Sequence, residues 1–405
     1  MHSFHVLIIG AGPADIAAAI AARKAGVKVG VVDDNFAVGG QIWRSGVPGA
    51  WAQAFANSGA QLLSGARIFD APEPGLLMAK TPESFAELRY EKLILTTGAR
   101  ELFLPFPGWT LPNIMGAGGL QAMVKGGLNI AGKRVVVAGS GPLLIAVAAS
   151  LLKHGAKVRA IVEQASNAHL ASFAAAIARQ PAKAWQGSQL LWALRNTPML
   201  RDVYPVRAEG EGRVQRVILS NGAGIDCDYL ACGFGLVPNT ELAGLLGCRL
   251  NGDFVEINQA RQTSIEAVYA AGELTGIGGL EKSLVEGEIA AYEATGNLRA
   301  AQALDSKRKA AQSFQRAIES AFALRPELFA LADYATKVCR CEDVTLGAVA
   351  PFHSWREAKL HTRCGMGPCQ GRICGPILRS LKGWRQEGVR PPIFPVDVAA
   401  IVKAH

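Results

Sequence analysis

Five cysteines fall within the 36 residues from Cys339 to Cys374: a C-x-C pair, Cys339 and Cys341, then Cys364, then Cys369 and Cys374 spaced C-x4-C. Thiolates are soft ligands, and four of them around one point select zinc or an iron–sulfur cluster. The early and late pairs supply four: Cys339, Cys341, Cys369 and Cys374. Cys364 is a fifth that can substitute for either late ligand. Zinc would hold the same small domain together without redox activity. Iron is favoured, because glycines and Gln370 around the late pair bring backbone N–H groups near sulfur, a common way of tuning a cluster. The segment from Lys337 to His405 carries 11 Lys plus Arg against 5 Asp plus Glu, a net of +6 that suits an anionic cluster. His353 and His361, close by, are read as surface or core residues rather than ligands.

The second chemical signal is glycine. His5-Val-Leu-Ile-Ile-Gly10-Ala-Gly12-Pro-Ala-Asp15 leads into an alanine-rich stretch and then Val27 to Asp34. This reads as strand, tight turn, helix, strand. A GxG turn lets backbone N–H groups approach a diphosphate at a helix N-terminus, and an acid about 20 residues on receives ribose hydroxyls. The pattern recurs at Lys133-Arg-Val-Val-Val-Ala-Gly139-Ser-Gly141-Pro-Leu-Leu144, with a strand from Lys157 to Glu163. Both copies lack the third glycine that seats the helix close to the strand, since Asp15 and Leu144 stand there. Leu144 is bulky enough to push its helix outward. Asp15 puts a negative charge near the diphosphate, or serves as a helix-start acid. In the second copy Glu163 favours an unphosphorylated ribose, while Leu144 and the tryptophan-bearing stretch that follows disfavour any NAD(P) site.

The elements that hold these residues define an α/β protein with two tandem Rossmann-like dinucleotide-binding domains and a small helical C-terminal domain. Its 405 residues are 50% hydrophobic and 19% charged, too apolar for disorder and too long for one core. Val135 to Leu152 is uncharged over 18 residues, but Gly139 to Pro142 interrupts it, so strand, turn and buried helix are expected rather than a membrane span. Met1 to Ala22 lacks a basic start and is broken by Gly10, Gly12 and Pro13, which argues against an export signal. Clustered cysteines without export point to metal rather than disulfides. Net charge is +9 with no basic run, a poor match to nucleic acid. The apolar stretch Ala165 to Leu200, with Trp185 and Trp192, is expected to form a pair of core-facing helices. A helix is expected from about Glu281 to Ala294. The expected domains are 1–105 with 240–298, then 106–239, a helical linker over 299–335, and the cysteine domain with its tail over 336–405.

Gly10-Ala-Gly12-Pro-Ala, Gly39-Gly40-Gln41-Ile-Trp-Arg44, Thr96-Thr-Gly98-Ala-Arg100, Phe106-Pro-Gly-Trp-Thr110 and Ala271-Gly-Glu273 together resemble the flavoprotein oxidoreductases with two dinucleotide domains. More narrowly, they resemble the α subunits of heteromeric amino-acid dehydrogenases: the opine (octopine and nopaline) oxidases, D-hydroxyproline and L-proline dehydrogenases, and hydrogen cyanide synthase. The cysteine region, Cys339-Arg-Cys341-Glu-Asp-Val with Thr362-Arg-Cys364-Gly-Met-Gly-Pro-Cys369-Gln-Gly-Arg-Ile-Cys374-Gly-Pro, resembles the bacterioferritin-associated-ferredoxin type of [2Fe-2S] domain.

The resemblance implies FAD, with Gly10, Gly12, Pro13 and Ala14 forming the turn under its diphosphate. It implies Asp33, or Asp34 if the strand end shifts, on the adenosine ribose. Gly39, Gly40 and Gln41 would cover the flavin, Thr97, Gly98 and Ala99 would be a crossing strand near the adenine side, and Gly272 and Glu273 would open a helix near the ribityl phosphate. Related flavoproteins carry Asp where Glu273 stands. The resemblance further implies a [2Fe-2S] cluster and a flavin-containing β subunit, resembling glycine oxidase, that holds the amino-acid substrate. In some members it implies an interfacial FMN and a small γ subunit; it implies no nucleic-acid partner. It implies a cytoplasmic location, with the electron acceptor as the route to a membrane. No catalytic base is evident here, and Cys227 and Cys232 are read as buried thiols. Two other functions fit fewer residues: a stand-alone NADH-dependent flavin and [2Fe-2S] reductase, and a zinc-stapled scaffold that binds a partner.

Overall fold

Buried β-branched runs build two parallel sheets. In the computed structural model, which describes residues 1–44, 46–386 and 388–398, the chain divides into two compact units. The first comprises Met1–Arg100, Pro238–Gln315 and Gly388–His405 as far as it is described; the second comprises Glu101–Val237 and Arg316–Glu387.

The first unit's sheet has His2–Ile9 at its centre, with Val29–Asp33 and then Gln61–Ser64 on one side and Phe85–Leu95 on the other. These strands pair in parallel, Ile9 against Val32 and Leu95. Val268–Ala270 adds a further parallel strand beside Phe85–Leu95, and an antiparallel ribbon of Leu76–Lys80 and Arg67–Glu73 completes the sheet. Strands covered on both faces read as continuous apolar runs, and Leu7, Ile8 and Val31 are fully buried. Helix Pro13–Arg23 packs against helix Gly279–Ala294. A Cβ added at Gly287 would lie 2.1 Å from the Ala14 carbonyl oxygen, so this close crossing needs glycine.

The second unit's sheet runs Met199–Arg201, Lys157–Glu163, Arg134–Gly139, Tyr229–Gly233 and Ile114–Gly116, all parallel. A three-stranded antiparallel sheet, Pro205–Glu209, Arg216–Leu219 and Gly224–Asp226, flanks it. Two doubly wound units in tandem are the fold that the repeated glycine turns predict.

Both missing third glycines are accommodated from the opposite side. Leu144 is fully buried without displacing its helix, because Gly233 faces it and a Cβ there would sit 3.0 Å from Leu144 Cδ2. Asp15 occupies space that a Cβ on Gly10 would take, 2.4 Å from Asp15 Oδ1.

Three expectations are corrected. Helices Asn167–Ala178 and Pro181–Ala193 do form, but they bury no residue, and Trp185 and Trp192 are 67% and 69% exposed. Apolar content without a face to cover is a surface, not a core. The cysteine region has no core of its own: Val338, Cys339, Trp355, Cys364, Cys374 and Ile377 join Phe106, Trp109, Val136 and Val162 in one continuous cluster. The boundary expected near 298 falls instead inside helix Asp305–Ala321, and the segment from Gly388 returns to the first unit, where the Ile393 amide bonds the Phe69 carbonyl. Residues 387 and 399–405 of the expected 336–405 domain lie outside the described residues. Among those described, no helix is long and apolar enough to cross a membrane.

Candidate functional site

In the first unit Gly10, at φ +126°, turns the chain from strand to helix, and Gly12 starts the helix. The Ala11 amide donates to Asp33 Oδ2 at 2.6 Å, so Asp33 reaches the turn. Asp34 is directed elsewhere, paired with Arg67 at 2.9 Å. Between the two acids offered by the sequence, the geometry therefore favours Asp33. Gly40 lies directly over the turn, where a Cβ would come within 3.1 Å of Gly12 Cα, and the Gly39 amide bonds the Ala11 carbonyl at 2.7 Å. Gln41 is exposed beside them.

Asp15 is a helix-start acid. Its Oδ2 accepts the Gly12 amide at 2.8 Å, and its Oδ1 accepts the Thr96 hydroxyl. Burial pushes its carboxyl well above the usual carboxylate range, and the neighbouring Asp33 charge adds to the shift. Burial thus favours the neutral form of Asp15, the form that does not repel a diphosphate at this turn.

Thr97 and Gly98 do not lie in the crossing strand expected for them. That strand is Ala99–Glu101, and Gly98, at φ +66°, makes a turn before it. Asn239 clamps this turn: its side-chain amide donates to the Thr97 carbonyl at 2.8 Å, and its backbone amide donates to the Gly98 carbonyl at 3.0 Å. Arg100 in turn holds Asn239 Oδ1 at 2.7 Å. A Cβ on Gly98 would meet nothing within 4 Å, so the turn faces open space.

Gly272 and Glu273 open a 3₁₀ turn, Gly272–Thr275, and the long helix starts later, at Gly279. Glu273 Oε1 accepts the Gly279 amide at 2.9 Å, while Oε2 is out of water and without a hydrogen-bond partner. Burial raises its pKa. An orphaned carboxyl oxygen beside a glycine turn is what a ligand hydroxyl would satisfy. Beneath it is a buried network that sequence reading missed. Glu286 pairs with Arg261 and Lys282, each at 2.8 Å, and accepts the Gly272 amide at 3.0 Å, and Lys282 also donates to the carbonyls of Gly272 and Gly276. The available signal was a Lys-x3-Glu pair inside an alanine-rich helix.

The second unit carries the thiols. The sulfurs of Cys339, Cys364 and Cys374 lie within 4.8 Å of one another, all buried, while Cys341 Sγ is 3.7 Å from Cys369 Sγ at the surface. Cys341 thus meets Cys369, while Cys339 meets both Cys364 and Cys374, so Cys364 stands as close to the buried group as the late cysteine does. Hydrogen bonds from the Cys364 and Cys374 thiols hold Cys339 far below the usual thiol range. An all-sulfur set of this kind fits an iron–sulfur cluster or zinc and excludes hard cations. Trp109 anchors the loop: its indole N–H donates to the Lys337 carbonyl at 2.7 Å, and the Arg340 guanidinium stacks 5.1 Å from its ring. His353 and His361 are exposed, outside this group. Cys227 and Cys232 are buried thiols whose pKa values burial pushes up to about 12.

Fold and turn geometry together define a dinucleotide-binding oxidoreductase of two Rossmann units. The chain belongs to the pyridine nucleotide-disulphide oxidoreductase family, which residues 4–303 match. It is 29% identical to a subunit of opine oxidase from Rhizobium meliloti over 99% of each chain, and 30% identical to the HcnB subunit of hydrogen cyanide synthase from Pseudomonas aeruginosa over 96% of each. Its fold is similar to that of L-proline dehydrogenase from P. horikoshii, with TM-score 0.69 and 18% identity over 98% of this chain and 79% of that one. Thioredoxin reductase of T. acidophilum covers 74% of this chain with TM-score 0.56, 21% identity and all of its own length matched.

Proposed function

We propose that this chain is the electron-transferring subunit of a heteromeric flavin-dependent amino-acid dehydrogenase that oxidises the C–N bond of a secondary-amine amino acid. An opine such as octopine or nopaline, or D-hydroxyproline, is the substrate class. The substrate site belongs to a flavin-containing, glycine-oxidase-like partner subunit. The observation that carries this reading is the combination, in one chain, of a dinucleotide turn with a buried trio of thiols and a surface pair. That combination occurs in a sequence similar along its whole length to proteins named as subunits of opine oxidase and hydrogen cyanide synthase.

In this reading Gly10, Gly12, Pro13 and Ala14 hold the FAD diphosphate, and Asp33 takes the ribose. Gly40 and Gln41 cover the flavin, Thr97, Gly98 and Ala99 border the adenine side, and Gly272 and Glu273 meet the ribityl chain. Burial shifts Asp15 toward its neutral form, which leaves the helix N-terminus attractive to the diphosphate. Cys339 with Cys374, and Cys341 with Cys369, are the ligand pairs of a [2Fe-2S] cluster. When bound, FAD exchanges electrons in twos or ones and the cluster exchanges them singly, which is chemistry the cofactors own. The polypeptide supplies fixed positions, exclusion of water from Glu273 and the inner thiols, and the Arg340 charge near the outer pair. An FMN at the interface with the partner subunit, and a small γ subunit, complete the assembly, which acts in the cytoplasm.

The test is a visible absorption spectrum of the chain purified without oxygen, before and after NADH, with iron and zinc quantified on the same sample. Flavin bands and two irons per chain, unmoved by NADH, are expected. Bleaching by NADH without a partner would make the chain a complete reductase, and zinc without iron would leave it a scaffold.

A further inference from the structure

The second glycine turn already has an occupant, and it is protein. Just after helix Asp305–Ala321, Phe322 to Arg325 cross the turn Gly139–Gly141. Ser140 Oγ donates to the Phe322 carbonyl at 3.0 Å. The Gln164 side-chain amide donates to the Ala323 carbonyl at 3.0 Å and to Ser140 Oγ at 2.9 Å, and its Oε1 accepts the Arg325 amide at 3.3 Å. The Phe322 ring packs against Phe173 in a T-shaped contact, centroids 4.8 Å apart.

The second glycine of a dinucleotide turn is bare so that a diphosphate can approach the backbone. At Gly141 the atom facing that bare position is Phe322 Cγ, 3.9 Å from where a Cβ would be. The first turn of the same chain serves as the comparison. There Gly12 and Asp33 are both half-buried and can be reached from solvent. Here Gly141 is buried, the equivalent acid Glu163 is 6% exposed, and Gln164 is 1% exposed. Glu163 spends one oxygen on the Gly141 amide at 2.7 Å and the other on the Ala165 amide at 2.9 Å, and burial raises its pKa. A carboxyl so enclosed cannot receive two ribose hydroxyls without first expelling its cover.

We propose that the Gly139–Gly141 turn is a socket for the chain's own Phe322–Arg325 segment, which stands where a nucleotide's diphosphate and adenosine ribose would lie, so that the second dinucleotide unit binds polypeptide instead of NAD(H). The nucleotide-turn geometry then has a structural use. It ties the segment entering the cysteine region onto the carboxyl end of the sheet's central strand, through groups that would otherwise recognise a cofactor. The inference depends neither on FAD nor on a second polypeptide, so it can fail while the proposed function stands, and the reverse.

The experiment is equilibrium dialysis of NADH and NAD⁺ against the full-length protein as purified. No saturable binding up to ~1 mM is expected, and saturable binding below that overturns the proposal. Phe322→Ala should open the socket and tighten NADH binding at least about tenfold relative to the parent protein. A folded variant, with unchanged circular dichroism, that gains nothing would overturn the role of Phe322. Should the variant not fold, hydrogen exchange on the parent protein decides. Amides of 140–144 are expected to be equally protected with and without NADH, and added protection there would overturn the socket.

Discussion

Asp15 shows how a single departure from a motif is absorbed. The residue type allows two roles, a charge opposing the diphosphate or a helix-start acid, and the geometry supplies the second at a site where burial also favours the neutral form. Because its folded pKa lies above the unfolded value of about 3.9, the folded state binds that proton more tightly, and the associated stability is lost as pH rises through the window above ~3.9. Asp15→Asn keeps the acceptor and abolishes the titration. Its thermal midpoint relative to the parent's should rise as pH rises above the ordinary carboxylate range. A pH-independent difference in calorimetry would contradict this. The thiols permit a sharper residue test. If the early–late pairs Cys339 with Cys374 and Cys341 with Cys369 are the ligands, Cys364→Ser keeps its iron while Cys369→Ser and Cys374→Ser lose it, as iron per chain would report. Spacing alone left Cys364 interchangeable with a late ligand. Only the folded arrangement puts it beside the inner pair, because which thiols meet depends on how three separate segments pack.

Elements were legible where periodicity coincided with burial on the same chain. Both strand–turn–helix–strand units could be read because their strands are apolar on both faces and their turns need glycine. The helices over 167–193 could be read as helices but not as exposed ones, since apolar composition does not say whether a covering surface exists. Trp185→Gln and Trp192→Gln should therefore shift the thermal midpoint by no more than about 0.5 kcal/mol equivalent, unlike substitutions in a core. Gly287 is the opposite case, a single atom that sets the crossing of two helices. Gly287→Ala places a methyl against the Ala14 carbonyl oxygen and should cost ~1–3 kcal/mol, measured by denaturant unfolding. If the turn holds a flavin as proposed, retention should weaken too, since Ala14 lies in the first turn of the helix that follows it. The clamp by Asn239 and Arg261's place in the buried network were not legible, because their partners lie far away in sequence, whereas the Lys282–Glu286 pair, four residues apart, was a signal passed over.

At the scale of the whole molecule the two dinucleotide units were legible and the third domain was not. The cysteine region looked independent because its composition changes abruptly, yet its apolar residues complete the second sheet's core, with Trp109 reaching the Lys337 carbonyl. If the thiols hold a metal as proposed, removing it should consequently lower the thermal midpoint of the second unit rather than melt a separate small domain. A calorimetric trace with an added, independent low-temperature transition for the cysteine region would contradict that. The same interleaving governs how the protein can be made. The first unit draws on three separate stretches of chain and the second on two. The second sheet's apolar cluster includes Cys374 and Ile377, and the first sheet's includes Ile393, so each interior is completed by residues synthesised late. A fragment ending before Cys374 is therefore expected to bind an apolar dye more strongly than the full chain, because that part of the second cluster is left uncovered.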